Sequence, residues 1–271
     1  MKLKLSALLV VLGITFTFGQ EETDAQNLGD NFSLEGALAM FKKANSLEEF
    51  EKLLNEENNN VNNLDLDNDN NIDYITVEDI KDGDNHVIVL STFLSEKEKQ
   101  DIATIGIEKT GNESAVLQIE GDSDLYAENI IIEPADEKET ISGSSKGPNF
   151  SEIISKPMIV NVWFWPSVRF IYAPNYVVWV SPYHWGFYPR WWKPWRPFRH
   201  TVFVSKCVVH KSYFRPASVR RVTVVRRVYA PRRHSSTLVV HNRRGTTVVH
   251  KNRRGNVKAV RVKRTSVKSR R

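Results

Sequence analysis

The chain has 271 residues, a formal net charge of +6 and one cysteine, Cys207, so no intramolecular disulfide staples its fold. The net charge conceals a division: residues 20–140 carry 31 Asp and Glu against 8 Lys and Arg, a balance of −23, whereas residues 141–271 carry 28 Lys and Arg against one acid, Glu152, a balance of +27. An asymmetry of that size is a statement about partners rather than fold. It excludes a zinc site with carboxylate ligands or a Ser-His-Asp relay built from the C-terminal half alone.

The N-terminus reads as a secretory signal over residues 1–19. Lys2 and Lys4 precede an apolar run from Leu5 to Phe18, and Thr17 and Gly19 are small residues before the acidic Glu21-Glu22. The run is too short for the ~20 residues that cross a bilayer. Cleavage is expected near Gly19-Gln20, with no cysteine there for lipid attachment. The expected location is periplasmic, associated with the outer envelope, or secreted.

After an acidic segment, 20–32, the sequence predicts an α+β domain over 33–135. Ser33 can cap a helix whose Leu34, Ala37, Leu38 and Phe41 share one face. Ser46-Leu-Glu-Glu49 is a capping box for a second helix carrying Leu47, Phe50, Leu53 and Leu54. Five β-branched runs follow: Tyr74 to Glu78, His86 to Leu94, Ile102 to Glu108, Ser114 to Ile119 and Asn129 to Glu133. Turn-formers such as Asp82-Gly83-Asp84-Asn85 separate them, which predicts a mostly antiparallel sheet of about five strands under two helices.

Between helices and sheet lies Asp65-Leu-Asp67-Asn-Asp69-Asn-Asn71-Ile-Asp73. Oxygen ligands at alternate positions of a tight loop suit a hard cation of calcium's size. Asp65, Asp67 and Asp69 would give carboxylates, Asn71 its backbone carbonyl, and Asp73 a carboxylate directly or through water. Asn70 occupies the position that needs a left-handed backbone, and Ile72 would anchor the loop in the core. Thr76 stands where an EF-hand carries its bidentate Glu, so the loop resembles those of VCBS and FG-GAP repeats and related extracellular calcium loops. A structural calcium ion is therefore expected; a solvated Asx-rich turn is the plain alternative.

Residues 136–157 read as a linker. All seven tryptophans then fall within 158–200: Trp163, Trp165, Trp179, Trp185, Trp191, Trp192 and Trp195. Ile159 to Trp165, Val168 to Tyr172 and Tyr176 to Ser181 look like short strands among recurring prolines. Three readings stand for the rings: a compact β core, an exposed stacking or sugar-binding platform, or peripheral contact with a membrane interface.

The order of parts resembles a family of uncharacterised exported proteins of Bacteroidetes-type bacteria. The resemblance rests on Ser33 to Ala37 with the second helix, the Asn63 to Asp67 loop, and Trp165-Pro166 leading to Tyr176-Val-Val-Trp179-Val-Ser-Pro182 and Trp185-Gly-Phe-Tyr-Pro189. It implies an envelope or secreted location and no activity.

From residue 201 to 271 valine alternates with Arg, Lys and Thr, and Val239-Val-His-Asn-Arg-Arg-Gly245 recurs as Val248-Val-His-Lys-Asn-Arg-Arg-Gly255. This basic tail is expected to be largely disordered or hairpin-like. Arg220, Arg221, Arg226, Arg227, Arg232, Arg233, Arg243, Arg244, Arg253 and Arg254 are its candidate polyanion contacts, because guanidinium pairs with phosphate and carboxylate. Outside the cytoplasm the partners would be lipopolysaccharide, acidic glycan, extracellular DNA, or the acidic domain of the same chain. Cys207 is either a small hydrophobe or an intermolecular thiol. No phosphate loop, nucleophile elbow or metal-spaced histidine set is present. The function expected is a non-enzymatic, calcium-stabilised exported protein whose basic aromatic half binds anionic envelope polymers. The alternative is a homo-oligomeric structural protein, assembled by pairing acidic against basic halves between molecules.

Overall fold

The computed structural model describes residues 28–67, 69–126, 130–135 and 159–234, and the backbone of 237–242, 245–251 and 257–262. The expected signal segment, residues 20–27 of the acidic segment and the linker 136–157 lie outside the described residues.

Ser33 caps α1 (Leu34–Lys43), its hydroxyl accepting the Gly36 N–H at 2.9 Å, and Leu34, Ala37, Leu38 and Phe41 are all buried. Ser46 caps α2 (Leu47–Leu54) by accepting the Glu49 N–H at 3.0 Å. The returning arm of the capping box reaches one residue further back than the motif implies. The Glu49 carboxylate accepts from the Asn45 backbone and side chain at 2.8 and 2.9 Å. Phe41 and Phe50 then meet edge to face, 5.2 Å apart, and fasten the two helices together.

Five strands follow as an antiparallel meander: β1 (Thr76–Asp82), β2 (Asn85–Ser95), β3 (Glu98–Gly111), β4 (Ser114–Gly121) and β5 (Ile131–Pro134). Gly83, at φ +60°, turns β1 into β2 and sets Asp82 opposite Asn85. The α+β architecture is the one the sequence predicts, with strand ends displaced by a few residues.

The rest of the chain wraps this meander. On the helix face, Val77, Ile88, Leu90, Ile105 and Ile119 share a core with α1 and α2, and Val162, Trp165, Val168, Ile171 and Phe214 complete it. On the opposite face Ile80, Val87 and Val89 are covered by Val222, Val224, Val225 and Tyr229. Each such buried aliphatic chain contributes about 1.5–3 kcal/mol relative to exposure. Gly106 lets this covering segment approach, since a Cβ there would lie 2.6 Å from methyl groups of both Val222 and Val225.

Both edges are closed as well. β6 (Phe214–Pro216) pairs with β5, while along β1 the Asp79 N–H donates to the Trp179 carbonyl and the Ser181 N–H to the Val77 carbonyl. Open edges would present unpaired backbone groups to other chains. Residues 159–234 therefore share the cores and edges of the acidic half. The boundary expected at 136–157 does not separate two folded bodies.

Local expectations are corrected along 159–211: Ile159 to Trp165 is not a strand but loop and turn, and Tyr176 to Ser181 is extended chain with one isolated bridge, Glu78 to Val180. Val168 to Tyr172 is not a strand but belongs to α3 (Pro166–Ile171), with Pro166 in its first turn and Val168 and Ile171 buried at helical spacing. The valine-rich start of the tail forms α4 (His200–Lys211), because Phe203, Cys207 and His210 pack inward at that same spacing. Tertiary contact there outweighs the strand preference of Val202, Val204, Val208 and Val209, all left exposed. Further on, β7 (Thr237–Asn242), β8 (Gly245–Lys251) and β9 (Val257–Val262) pair antiparallel, so the repeated segment is hairpin-like in its backbone. Among the described residues no helix is long and apolar enough to cross a membrane.

Candidate functional site

The Asp-rich loop is pinned at its base by buried groups. The Asp73 N–H donates to the Leu64 carbonyl at 2.8 Å, and the Leu66 N–H to an Asp73 carboxylate oxygen at 2.6 Å. Ile72 is buried as expected, and its N–H donates to the Trp195 carbonyl at 2.9 Å. Asn70 takes the left-handed conformation, φ +66°, at the position where the sequence requires it. Within the loop the Asp69 N–H reaches Asp67, the Asn70 N–H reaches Asp65, and the Asn71 N–H reaches Asp69.

This folding gathers Asp65, Asp67 and Asp69 so that one oxygen of each lies within 4.8 Å of the others, a group that can hold a metal ion. Asp73 is not in the group. One of its carboxylate oxygens accepts the Leu66 N–H and braces the loop. Asn71 uses its side chain to donate to Asp69 at 3.1 Å. Burial, then the neighbouring charge of Asp69, holds the Asp67 carboxyl above the usual carboxylate range. Burial raises Asp73 much further, and Asp67, Asp65 and Asp69 add to the rise.

The loop forms one wall of a cleft of about 550 Å³, whose other wall is Trp185, Tyr188, Arg190 and Trp192. Tyr74 sits at the junction, its ring 5.6 Å from Tyr183, 5.5 Å from Tyr188 and 5.1 Å from Trp192. No family model, curated protein or solved structure matches this chain. Its chemistry must be read from these residues.

The seven tryptophans do not act as one group. Trp165 belongs to the main core, and Trp163 stacks on Tyr172 at 5.1 Å under the Lys109 ammonium. Trp179 donates its indole N–H to Glu51 at 3.3 Å, and Trp195 meets the loop through its backbone. Trp192 lines the cleft, while Trp185 and Trp191 are the most exposed, at 37% and 44%. Part of the set is buried in the core and part is exposed.

Of the candidate polyanion contacts, four are engaged within the chain. Arg220 forks onto Glu120 with both bonds at 2.6 Å, and Arg221 meets Glu133 at 3.1 Å. Arg233 contacts Asp122 and Asp124, and Arg227 reaches Asp82 at 2.8 Å. Arg215, which the sequence did not single out, also binds Glu133. Arg226 and Arg232 are exposed and form no ion pair among the described residues. Arg243, Arg244, Arg253 and Arg254 lie outside the described residues.

Three buried carboxylates that sequence reasoning missed tie the halves together. Glu51 accepts from Tyr74, Ser181, Trp179 and the Val77 N–H, at 2.8 to 3.3 Å. Asp79 accepts from Tyr176 at 2.8 Å and lies 2.8 Å from His86 Nδ1, with the Asp79 and His86 side chains wholly buried. Asp101 accepts from Ser91, from Tyr229 at 2.6 Å and from the His234 N–H. A signal existed for two of them. Glu51 interrupts the apolar stripe of α2, and the turn at Gly83 places Asp79 diagonally across from His86 on one face.

Proposed function

We propose that this chain is an exported binding protein of the cell envelope or its surroundings, without catalytic chemistry, that seats an acidic glycan in the cleft beside the Asp-rich loop. The observation that carries this reading is the cleft's lining, in which Asp67 and Asp69, two members of the Asp65, Asp67 and Asp69 group, stand with Trp185, Tyr188, Arg190 and Trp192. Calcium is the cation that three carboxylates on a tight oxygen-rich loop suit best. With calcium bound, two of the three carboxylate charges are offset, so the ion and Arg190 can both meet a carboxylate-bearing sugar, whose C–H faces stack on the rings.

An acidic glycan is preferred to DNA or lipopolysaccharide bound along the tail, because Arg220, Arg221, Arg227 and Arg233 already serve carboxylates of the same chain. The same engagement weighs against assembly by acid-to-base pairing between molecules. Calorimetric titration of the full chain with polygalacturonate, in calcium and again in EDTA, tests the proposal. Binding that needs calcium and weakens by about tenfold in Trp192→Ala is expected, a stacked ring contributing on the order of 1 kcal/mol or more. Equal binding with and without calcium, or binding of DNA alone, would sink it.

A further inference from the structure

A second, smaller pocket of about 360 Å³ shares Tyr74 with the cleft beside the Asp-rich loop. Trp179, Tyr183 and Trp191 form its aromatic walls, and Glu48, Glu49 and Glu51 of α2 supply its acidic side. Carboxylates and π-faces around one small volume make an environment that stabilises positive charge and repels anions. Hydrogen bonds from Asn45 hold the Glu49 carboxyl below the usual carboxylate range, so it is ionised at neutral pH. Glu51 orients one wall, since it accepts the Trp179 indole N–H and the Ser181 hydroxyl.

The chain shows the pocket's preference with a residue of its own. The Lys52 ammonium lies 5.8 Å from the centre of the Trp191 ring, and its one carboxylate contact among the described residues, Glu56, is 3.9 Å away among exposed groups. A tether that loose holds a long side chain weakly, so the face of Trp191 is open to a competing cation. We propose that this pocket binds a small organic ammonium group, quaternary or methylated, which packs against Trp191, Trp179 and Tyr183 and is neutralised by Glu48 and Glu49. The inference does not rest on the glycan reading, because the pocket uses neither the Asp-rich loop nor Trp192.

Choline and its uncharged carbon isostere dimethylbutanol, titrated into the full ¹⁵N-labelled chain, separate charge from shape. Choline is expected to shift the indole N–H signals of Trp179 and Trp191, while the isostere binds about tenfold more weakly or not at all. Trp191→Ala, at an exposed site that leaves the core intact, should reduce choline affinity by about tenfold. Lys52→Ala should raise it, because the competing ammonium is gone. Sedimentation with phosphatidylcholine vesicles then assigns the source: co-sedimentation points to a lipid headgroup, and choline binding without it points to a free amine, either of which supports the site. Equal affinity for choline and the isostere, no shift at either indole, or unchanged affinity in Trp191→Ala would each overturn it.

Discussion

On the sheet, Glu120, Asp122 and Glu133 each face a guanidinium group delivered by the basic half. In the Asp-rich loop the charge that acts on Asp67 is that of another carboxylate, Asp69. Both sets belong to one strongly acidic stretch, and the basic half supplies ion pairs to the first. The contrast teaches that the basic half is a structural counterpart fitted to particular carboxylates. It also leaves the loop as the place where a cation from outside would lower repulsion most. Glu51 stands between these cases, a buried carboxylate satisfied by neutral donors alone.

The largest test of the contrast is to remove the counterpart altogether. A chain ending at residue 135 loses both edge coverings, the second core and part of the first, and is expected to show no cooperative melting by circular dichroism. Next, Arg233→Ala strands Asp122, whose side chain is 4% exposed. Removing one partner of a buried pair costs about 3–5 kcal/mol, to be measured by urea unfolding. Arg233→Ala with Asp122→Asn should recover much of that loss.

For the loop, calcium at a hundredfold excess over its Kd is expected to stabilise the full chain by about 2.7 kcal/mol. Asp67→Asn with Asp69→Asn should abolish the calcium-induced rise in Tm and, without calcium, leave the chain no less stable than the parent. A parent chain whose Tm ignores calcium would erase the distinction between the two sets.

Glu51 gives a pH signature. Burial raises its carboxyl above the usual range despite its hydrogen bonds, so the folded state holds a proton more readily than the unfolded. Its contribution to stability is therefore complete below the ordinary carboxylate range and is lost as pH rises through the raised folded value. Glu51→Gln is expected to flatten that slope in urea titrations at several pH values. It also costs about 1–3 kcal/mol, because an amide nitrogen cannot accept from the donors left facing it. The smallest effect belongs to Arg227→Ala. That pair is 62% and 47% exposed, and its removal should change stability by less than about 0.5 kcal/mol.

The sequence by itself determined whatever depends on near neighbours. The caps at Ser33 and Ser46, the stripe of α1, the five-strand meander, the Gly83 turn and the left-handed Asn70 all follow from spacings of a few residues, where backbone geometry leaves little choice. The gathering of Asp65, Asp67 and Asp69 was legible for the same reason. Only the tertiary structure decided that Val222 to Tyr229 would cover the second face of the sheet, and that valine-rich residues 200–211 would be helical. It alone decided which tryptophans are core and which line a cleft, and that Arg220 belongs to Glu120 from a hundred residues away. Charge composition says that two halves attract. Attraction between charges has no preferred direction, so which arginine meets which carboxylate is set by the packed backbone that carries them.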